Sequence, residues 1–374
     1  MSTHLHTGKN AGDGSTSAGI RIGIAGAGAI AYASAAWLVH RGHAAALWSP
    51  GGEAASGLRE VPLTSTGVLE TRVPVQVADS AAALVAGAEV ILIAVPVNGH
   101  RRVMDALLEH LRDGQTVIVS SMSSLSALYL FERLRARGRD VMVASFGTTV
   151  LTARREGPAQ VRIMTRRAEL GVSALPRART DAALALCRAL FGEGFSAHDN
   201  VLASALTNIN PVAHGPLALF NWTRIERAEN WPQYHYMTPR VAAVIERLDA
   251  ERQALARAFG LQVRTIERHF AQSFSTEAER LADIAAELHA KRGGPPGPTE
   301  IDTRFLAEDV PYGLVFSVAL GRLAGVPVPA TQTIVDVASL ITGRDFTAEN
   351  DLLEALGLHQ ETLAGLIARV DPRA

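Results

Sequence analysis

The stretch "IRIGIAGAGAIAYASAAWLVH", residues 20–40, constrains this chain more than any other. A short apolar run leads directly into Gly26-Ala27-Gly28-Ala29-Ile30-Ala31, and an alanine-rich segment of helical character follows. This is G-x-G-x-x-G/A set between a strand and a helix. Gly26 would permit the tight turn and Gly28 the close approach of a pyrophosphate, while Ala31 is small enough for the helix to pack on the strand. Free N–H groups at the helix start would face the phosphates. Glycines also occur in ordinary strand–helix turns, so a turn without ligand is the alternative. The context on both sides favours the nucleotide cradle.

The surrounding pattern agrees. "IRIGIA", "AAALW", "VILIAV", "TVIVSS" and "DVMVAS" are five strand candidates separated by helical stretches such as 98–112. Such alternation predicts a parallel sheet covered on both faces. Further short runs around 141–175 and 194–199 are expected to extend it. After Asn200 strand signals nearly vanish. Residues 238–260 form the clearest helix, with Thr238 to cap it, Pro239 in its first turn and Gly260 to end it. A second helix is expected from Pro311 to about Gly325, and "RGGPPGP" at 292–298 is a loop. The expected fold is therefore α/β, with an N-terminal Rossmann-type dinucleotide-binding domain over 20–199 and a C-terminal all-helical substrate domain over 200–374. Polar residues 1–19 read as a disordered leader.

Composition removes several classes of function. The chain of 374 residues balances 36 basic against 37 acidic side chains, so no global field favours nucleic acid or an anionic membrane. No apolar run approaches the roughly 18 residues of a membrane span. The lone Cys187 excludes an internal disulfide and fits a reducing compartment, which makes the cytoplasm the expected location. No metal site is read from the sequence.

The end of the second strand bears on which dinucleotide is used. An NAD site usually has Asp or Glu there for the ribose 2′-hydroxyl. This chain has "WSPGG", with Ser49 at that place, and a neutral hydroxyl followed by glycine backbone tolerates a 2′-phosphate. Arg59 lies downstream as a source of positive charge, and Glu53 is an acid that a loop could bring back. NADP is expected over NAD. Val95, Pro96 and Val97, after the third strand, either line the dinucleotide groove or simply end a strand.

A nicotinamide site also needs a proton donor or acceptor at the mouth between domains. Among twelve histidines, His214 stands out within "TNINPVAHGPLALFN". Asn210 and His214, four apart, share one helical face. Pro211 and Pro216 interrupt this helical run, since neither can bond the carbonyl four residues back. That damage suits a cavity edge, although a kinked core helix with an internally bonded His214 is the alternative. "DTRFLAEDV" supplies Arg304, Glu308 and Asp309. Asp309 as a helix cap and Arg304–Glu308 as a solvated pair are the plain readings. A buried carboxylate is also what would hold His214 in one tautomer, and an arginine can clamp a carboxylate with two parallel bonds.

These residues carry a resemblance. The order of a nucleotide fold, "NxxxH", an amphipathic helix beginning "TP", "R-[FY]-x-x-E-[DE]" and "GVPVPAT" resembles the octopine/nopaline (opine) dehydrogenases, over nearly the whole chain from residue 20. The resemblance implies NAD(P)H-dependent reductive condensation of an amine or amino acid with a 2-oxo acid. It implies that His214 is the catalytic histidine, Asp309 its acidic partner, Asn210 a positioning group and Arg304 the carboxylate anchor. "ALWSP" is similar to members that accept NADP. The segment "QYHYMTP" departs from the family, and Tyr234 within it is expected to touch the amine-bearing substrate. The expected partners are small molecules, with a homodimer possible. A hydroxy-acid dehydrogenase using the same parts on a C–O bond, or a non-catalytic NAD(P) sensor, are the alternatives.

Overall fold

The computed structural model describes residues 19–274 and 276–372, with the side chains of Glu53 and Arg292 outside the described set. The expected leader, but for Gly19, lies outside the described residues.

The strands are β1 (Arg21–Ala25), β2 (Ala44–Trp48), β3 (Leu63–Gly67), β4 (Thr71–Val73), β5 (Gln76–Val77) and β6 (Val90–Ile93). They continue with β7 (Thr116–Val119), β8 (Met142–Phe146), β9 (Leu151–Gly157), β10 (Gln160–Arg166), β11 (Leu170–Leu175) and β12 (Phe195–Ala197). Eight of them form one sheet in the order β12-β11-β8-β7-β6-β1-β2-β5. From β5 to β8 all neighbours are parallel, whereas β11 runs antiparallel to β8 and carries β12 beside it. Every residue of β6 and β7 is buried. That is why "VILI" and "TVIV" read as unbroken apolar runs rather than alternating ones.

A second sheet, β4-β3-β10-β9, corrects the expectation that the runs after residue 141 all extend the first. β11 and β12 do extend it, but β9 and β10 pair with each other and then with β3. β3 is polar in sequence, "LTSTG", and its register against β10 is a long-range choice that period alone does not reveal.

The helix Ala29–His40 lies between the two sheets. Ala31 to Ala36 are buried without interruption, followed by Leu38. Its residues share one apolar cluster with β9 and β10 on one side and β1, β2 and β6 on the other. A helix enclosed on both sides has no use for a polar face, and alanine lets both sheets approach closely. The alanine-rich composition of this segment follows from that enclosure.

Beyond β12 the described residues are helical apart from loops and one isolated bridge, Pro232 to Pro296. The helix Pro239–Ala258 is the spine of this half, and Ile245, Leu248 and Leu255 are buried along it as the pattern predicts. Its inner face also buries charge. Arg252 pairs with Asp249 at 2.6 Å, and the Glu251 carboxylate accepts from Ala330 N–H, Thr331 N–H and Thr331 Oγ. Those three bonds satisfy the start of the helix Pro329–Thr342, which gives "GVPVPAT" a structural reason. Cys187 is buried, with burial pushing its thiol up to about 12. No helix among the described residues is long and apolar enough to cross a membrane.

Candidate active site

Gly26 adopts φ 144°, and a Cβ there would come within 2.3 Å of the Ala94 carbonyl oxygen. Only glycine lets β1 turn this tightly against the end of β6. The Gly26 N–H donates to the Trp48 carbonyl at 2.7 Å, so the turn is tied to β2 as well. Gly28 is exposed, and a Cβ there would meet nothing within 4 Å. The space above it opens onto the first N–H groups of the helix Ala29–His40, which have no partner within the helix. Ala27 and Ala31 are buried under this loop, while Ala29 and Ile30 are half-buried. Val95 is half-buried and Pro96 exposed at the neighbouring strand end, and the buried His100 holds that end by bonding the Val95 carbonyl at 3.1 Å.

Ser49 stands where the second strand ends. Its Oγ is buried and makes no hydrogen bond, an unmet donor beside Gly51 and Gly52, where added side chains would enter open space. An orphaned hydroxyl with open backbone beside it fits a ribose or ribose phosphate better than it fits a closed core. Arg59 is ion-paired to Asp79, and the Glu53 side chain lies outside the described residues.

In the helical half, two short helices replace the single interrupted run expected from sequence. Val201–Thr207 ends before Asn208, and a new helix, Asn210–Leu219, begins. Pro211 therefore sits in a first turn, where its missing N–H costs nothing, and it does not break a helix. Pro216 is truly internal. Asn210 is half-buried one turn before His214, its N–H donating to Asn208 Oδ1.

His214 Nδ1 lies 2.8 Å from Asp309 Oδ2, across 95 residues of sequence. The two side chains are 22% and 12% exposed, so the pair is shielded yet reachable. Phe305 stacks on the imidazole with ring centroids 3.7 Å apart and an interplanar angle of 1°. An ionised carboxylate can only accept, so Nδ1 carries the proton of this bond, and in the neutral ring Nε2 is the nitrogen with the free lone pair. Asp309 makes no capping bond to the helical turn it precedes, which leaves it free for the histidine.

That turn, Val310–Leu314, is a π-helix, a rare geometry often found at functional sites. The carbonyls it frees are taken up from both halves of the molecule. Ser123 and Ser124 Oγ donate to the Tyr312 carbonyl at 2.6 and 2.7 Å, and Asn350 Nδ2 donates to the Pro311 carbonyl at 2.8 Å. Ser124 and Leu125 hold φ of 47° and 57°, a strained backbone for non-glycine residues. On its other side, the π-turn brings Gly313 against Pro211, where a Cβ would lie 2.2 Å from Pro211 Cγ. The Asp309 segment is thus clamped between the strand-end loop of one half and the His214 helix of the other.

Arg304 is 71% exposed and bonds Glu308 Oε2 at 3.1 Å. Burial pushes the Glu308 carboxyl up, Arg304 opposes this, and the charge of Asp309 adds to it. Arg304, Phe305 and His214 line one cleft of about 580 Å³ together with Arg154 from β9, Gln233, Thr303 and the loop Pro295–Thr299. Tyr234 is not among the lining residues. It is 9% exposed and packs edge-on against Phe270 and Phe274, so its neighbour Gln233 faces the cleft in its place. The proline loop is a wall of the site, not a distant connector. Gln233 N–H donates to the Pro295 carbonyl, Gln233 Nε2 to the Pro296 carbonyl and Trp231 Nε1 to the Pro298 carbonyl.

Sequence reasoning passed over Arg154, Phe305, Gln233, Ser123, Ser124 and Asn350. Phe305 lies within "R-[FY]-x-x-E-[DE]" and Gln233 within "QYHYMTP", but neither pattern tells where those side chains point, and "SSMSSLS", an unusual polar run after a strand, does not name a partner 188 residues away.

The family described as NAD/NADP octopine/nopaline dehydrogenase, alpha-helical domain, matches residues 197–342, and ketopantoate reductase PanE/ApbA matches residues 22–176. An opine dehydrogenase of Arthrobacter sp. (strain 1C) is 29% identical over 353 residues, covering 93% of this chain and 98% of its own. In fold, the chain is similar to octopine dehydrogenase with NADH and L-arginine (TM-score 0.77, 16% identity, 93% and 98% of the two chains covered). It is also similar to yersinopine dehydrogenase with NADP+ bound (TM-score 0.68, 17% identity, 95% and 98% covered). The chain thus carries an octopine/nopaline dehydrogenase-type helical domain joined to a Rossmann-type half, and over nearly its whole length it is similar to an opine dehydrogenase.

Proposed function

We propose that this protein is an opine dehydrogenase that condenses an amine or amino acid with a 2-oxo acid and reduces the resulting imine at the expense of NADPH. In the overall reaction the amine, the oxo acid, NADPH and one proton give a secondary amine, NADP+ and water. The observation that carries the reading is the His214–Asp309 bond of 2.8 Å in a cleft shared with Arg304.

When bound, the reduced nicotinamide supplies hydride to the imine carbon. The chain's own residues handle protons and position. His214 Nε2 takes a proton from the attacking amine nitrogen and returns one to the departing hydroxyl, so that water leaves. Asp309 keeps Nδ1 protonated throughout and stabilises the imidazolium when it forms. Phe305 covers one face of the ring and excludes water from it. Arg304 holds the carboxylate of the oxo acid, exchanging its bond to Glu308 for a bidentate one. Asn210 positions the oxo group from the turn before His214.

Gly26, Ala27, Gly28, Ala29 and Ile30 would hold the pyrophosphate, with Val95 and Pro96 along the groove. Ser49 would meet the 2′-phosphate, and the absence of an acid at that residue supports NADP over NAD. The dinucleotide and substrate halves divide at residues 199–200 in this proposal, where the Asn200 side chain caps the first helix after β12. A cytoplasmic location is part of the reading, as is a homodimer, for which the exposed Val337, Leu340 and Ile341 of the helix Pro329–Thr342 offer an apolar face. The ketopantoate reductase match spans the cofactor half only and so does not bear on the substrate.

The test is NADPH oxidation followed with an oxo acid alone, an amine alone and both together. Oxidation that requires both, with a secondary amine as product, is expected. Oxidation by the oxo acid without amine would refute the reading.

A further inference from the structure

We propose that Arg154 binds the carboxylate of the amine donor, so that the preferred donor is an amino acid with a neutral or acidic side chain rather than a simple or cationic amine. This rests on the opine reading of the same cleft.

Adjacent arginines on β9 do different things. Successive strand residues face opposite sides. The Arg155 guanidinium is fully engaged on one side, donating to the Ala27 carbonyl at 3.1 Å and to the carbonyls of Gly157 and Pro158, with the Tyr32 ring 4.5 Å from its centre. It braces the glycine loop. Arg154 faces the other way, into the cleft that contains His214 and Arg304. Among the described residues its guanidinium has no hydrogen-bond or ion-pair partner, whereas Arg304 in the same cleft already shares its charge with Glu308.

The basic side chains lining this cleft are Arg154, His214 and Arg304, and none of the described lining residues is acidic. The product of an amino acid and a 2-oxo acid carries two carboxylates, one on each side of the new C–N bond. Two guanidinium groups, one from each half of the molecule, match that charge pattern. Arg304 stands within a residue of the His214–Phe305 stack and takes the oxo acid. Arg154 is left for the donor. A donor with a cationic side chain would bring positive charge beside these arginines, and a simple amine would leave Arg154 with no carboxylate to meet. Prolines 295, 296 and 298 and Phe305 offer apolar surface for a neutral side chain.

The experiment compares leucine with 3-methylbutylamine, which is leucine without its carboxylate, using pyruvate and NADPH. Wild-type enzyme is expected to favour leucine in kcat/KM by roughly 10- to 100-fold, the worth of a charge-assisted bond to a half-solvated carboxylate. R154A should remove that preference by raising KM for leucine, leaving KM for pyruvate and the Kd for NADPH unchanged, and R154K should recover part of it. As a readout apart from turnover, calorimetric binding of N-(1-carboxyethyl)leucine in the presence of NADP+ should weaken by a similar factor in R154A. Unchanged leucine KM and unchanged product affinity would overturn the assignment. So would a rise in pyruvate KM in R154A, or a wild-type preference for 3-methylbutylamine or agmatine. NADPH oxidation by pyruvate without any amine would instead show that the opine reading itself fails, and wild-type enzyme alone reveals it.

Discussion

Gly313→Ala tests whether the His214–Asp309 alignment depends on the packing beneath it. The Gly313 backbone is not in the left-handed region, so alanine is conformationally acceptable there, and the effect is steric alone. A new Cβ would lie 2.2 Å from Pro211 Cγ and 2.4 Å from Pro211 Cβ, against an ordinary contact of 3.4 Å or more. The two segments must separate by about 1 Å. The π-turn cannot retreat freely, because Ser123, Ser124 and Asn350 hold its carbonyls from behind. The displacement therefore falls on the bond between Asp309 and His214, stretching it from 2.8 Å to roughly 4 Å and out of hydrogen-bond range. A misplacement of this size costs about 10²-fold in kcat. The accompanying overpacking should lower stability by about 1–3 kcal/mol. Steady-state kinetics with saturating NADPH would show the loss in kcat, while fluorescence titration should give an unchanged Kd for NADPH, since the atoms that clash are those of Pro211 and none belongs to the glycine loop. Pro211→Gly removes both ring atoms that clash, so the double variant should regain most of the activity that Gly313→Ala loses. A single variant with wild-type kcat, or a double variant no better than the single, would refute the reasoning.

Three further outcomes are expected. His214→Ala and Asp309→Asn should each lose about 10²–10⁴-fold in turnover while still binding NADPH; near-normal rates in both would remove the acid–base assignment. Ser49→Asp should narrow or reverse the preference for NADPH in kcat/KM, and equal use of NADH by the unmodified protein would remove the cofactor assignment. Burial holds His100, His198 and His269 at about 4. Their neutral forms are favoured in the folded state, so the unfolded chain binds more protons between about pH 4 and 6.5. Their contribution is complete above pH 6.5 and is lost as pH falls towards 4, by about 1.4 kcal/mol per pH unit for each ring at the steepest point. Urea denaturation at several pH values should show this slope, and His100→Asn should flatten it; a flat profile in the wild type would count against buried neutral histidines.

Features that depend on neighbours in sequence were legible without coordinates. Gly26 and Gly28 could be read because a strand–turn–helix places its constraints within six residues. The helix Pro239–Ala258 announced itself by apolar period and by proline at its start. Asn210, His214, Arg304 and Asp309 were singled out by local spacing and family resemblance, and two of them meet in a bond. Elsewhere the local rules misled. Pro211 read as a break in one helix because periodicity carries no mark of where a helix starts, and the chain in fact uses it in a first turn against Gly313. Tyr234 was chosen over Gln233 because aromatic character is visible in sequence, while the direction of a side chain from an irregular segment is not. β3 and β10 pair across nearly 100 residues of chain, and no residue in "LTSTG" specifies that partner. By itself the sequence determined the glycine-rich strand–turn–helix start and the change from alternating to helical character near residue 200, because each is written in short-range pattern, and local motifs singled out the two residues, His214 and Asp309, that the fold joins in a bond. Tertiary structure alone decided which cleft those residues share, that Arg154 from a second sheet enters it, and how the π-turn holds Asp309 in place. Those depend on packing between segments 90 to 190 residues apart, where contact is set by shape and by the satisfaction of buried polar groups rather than by spacing.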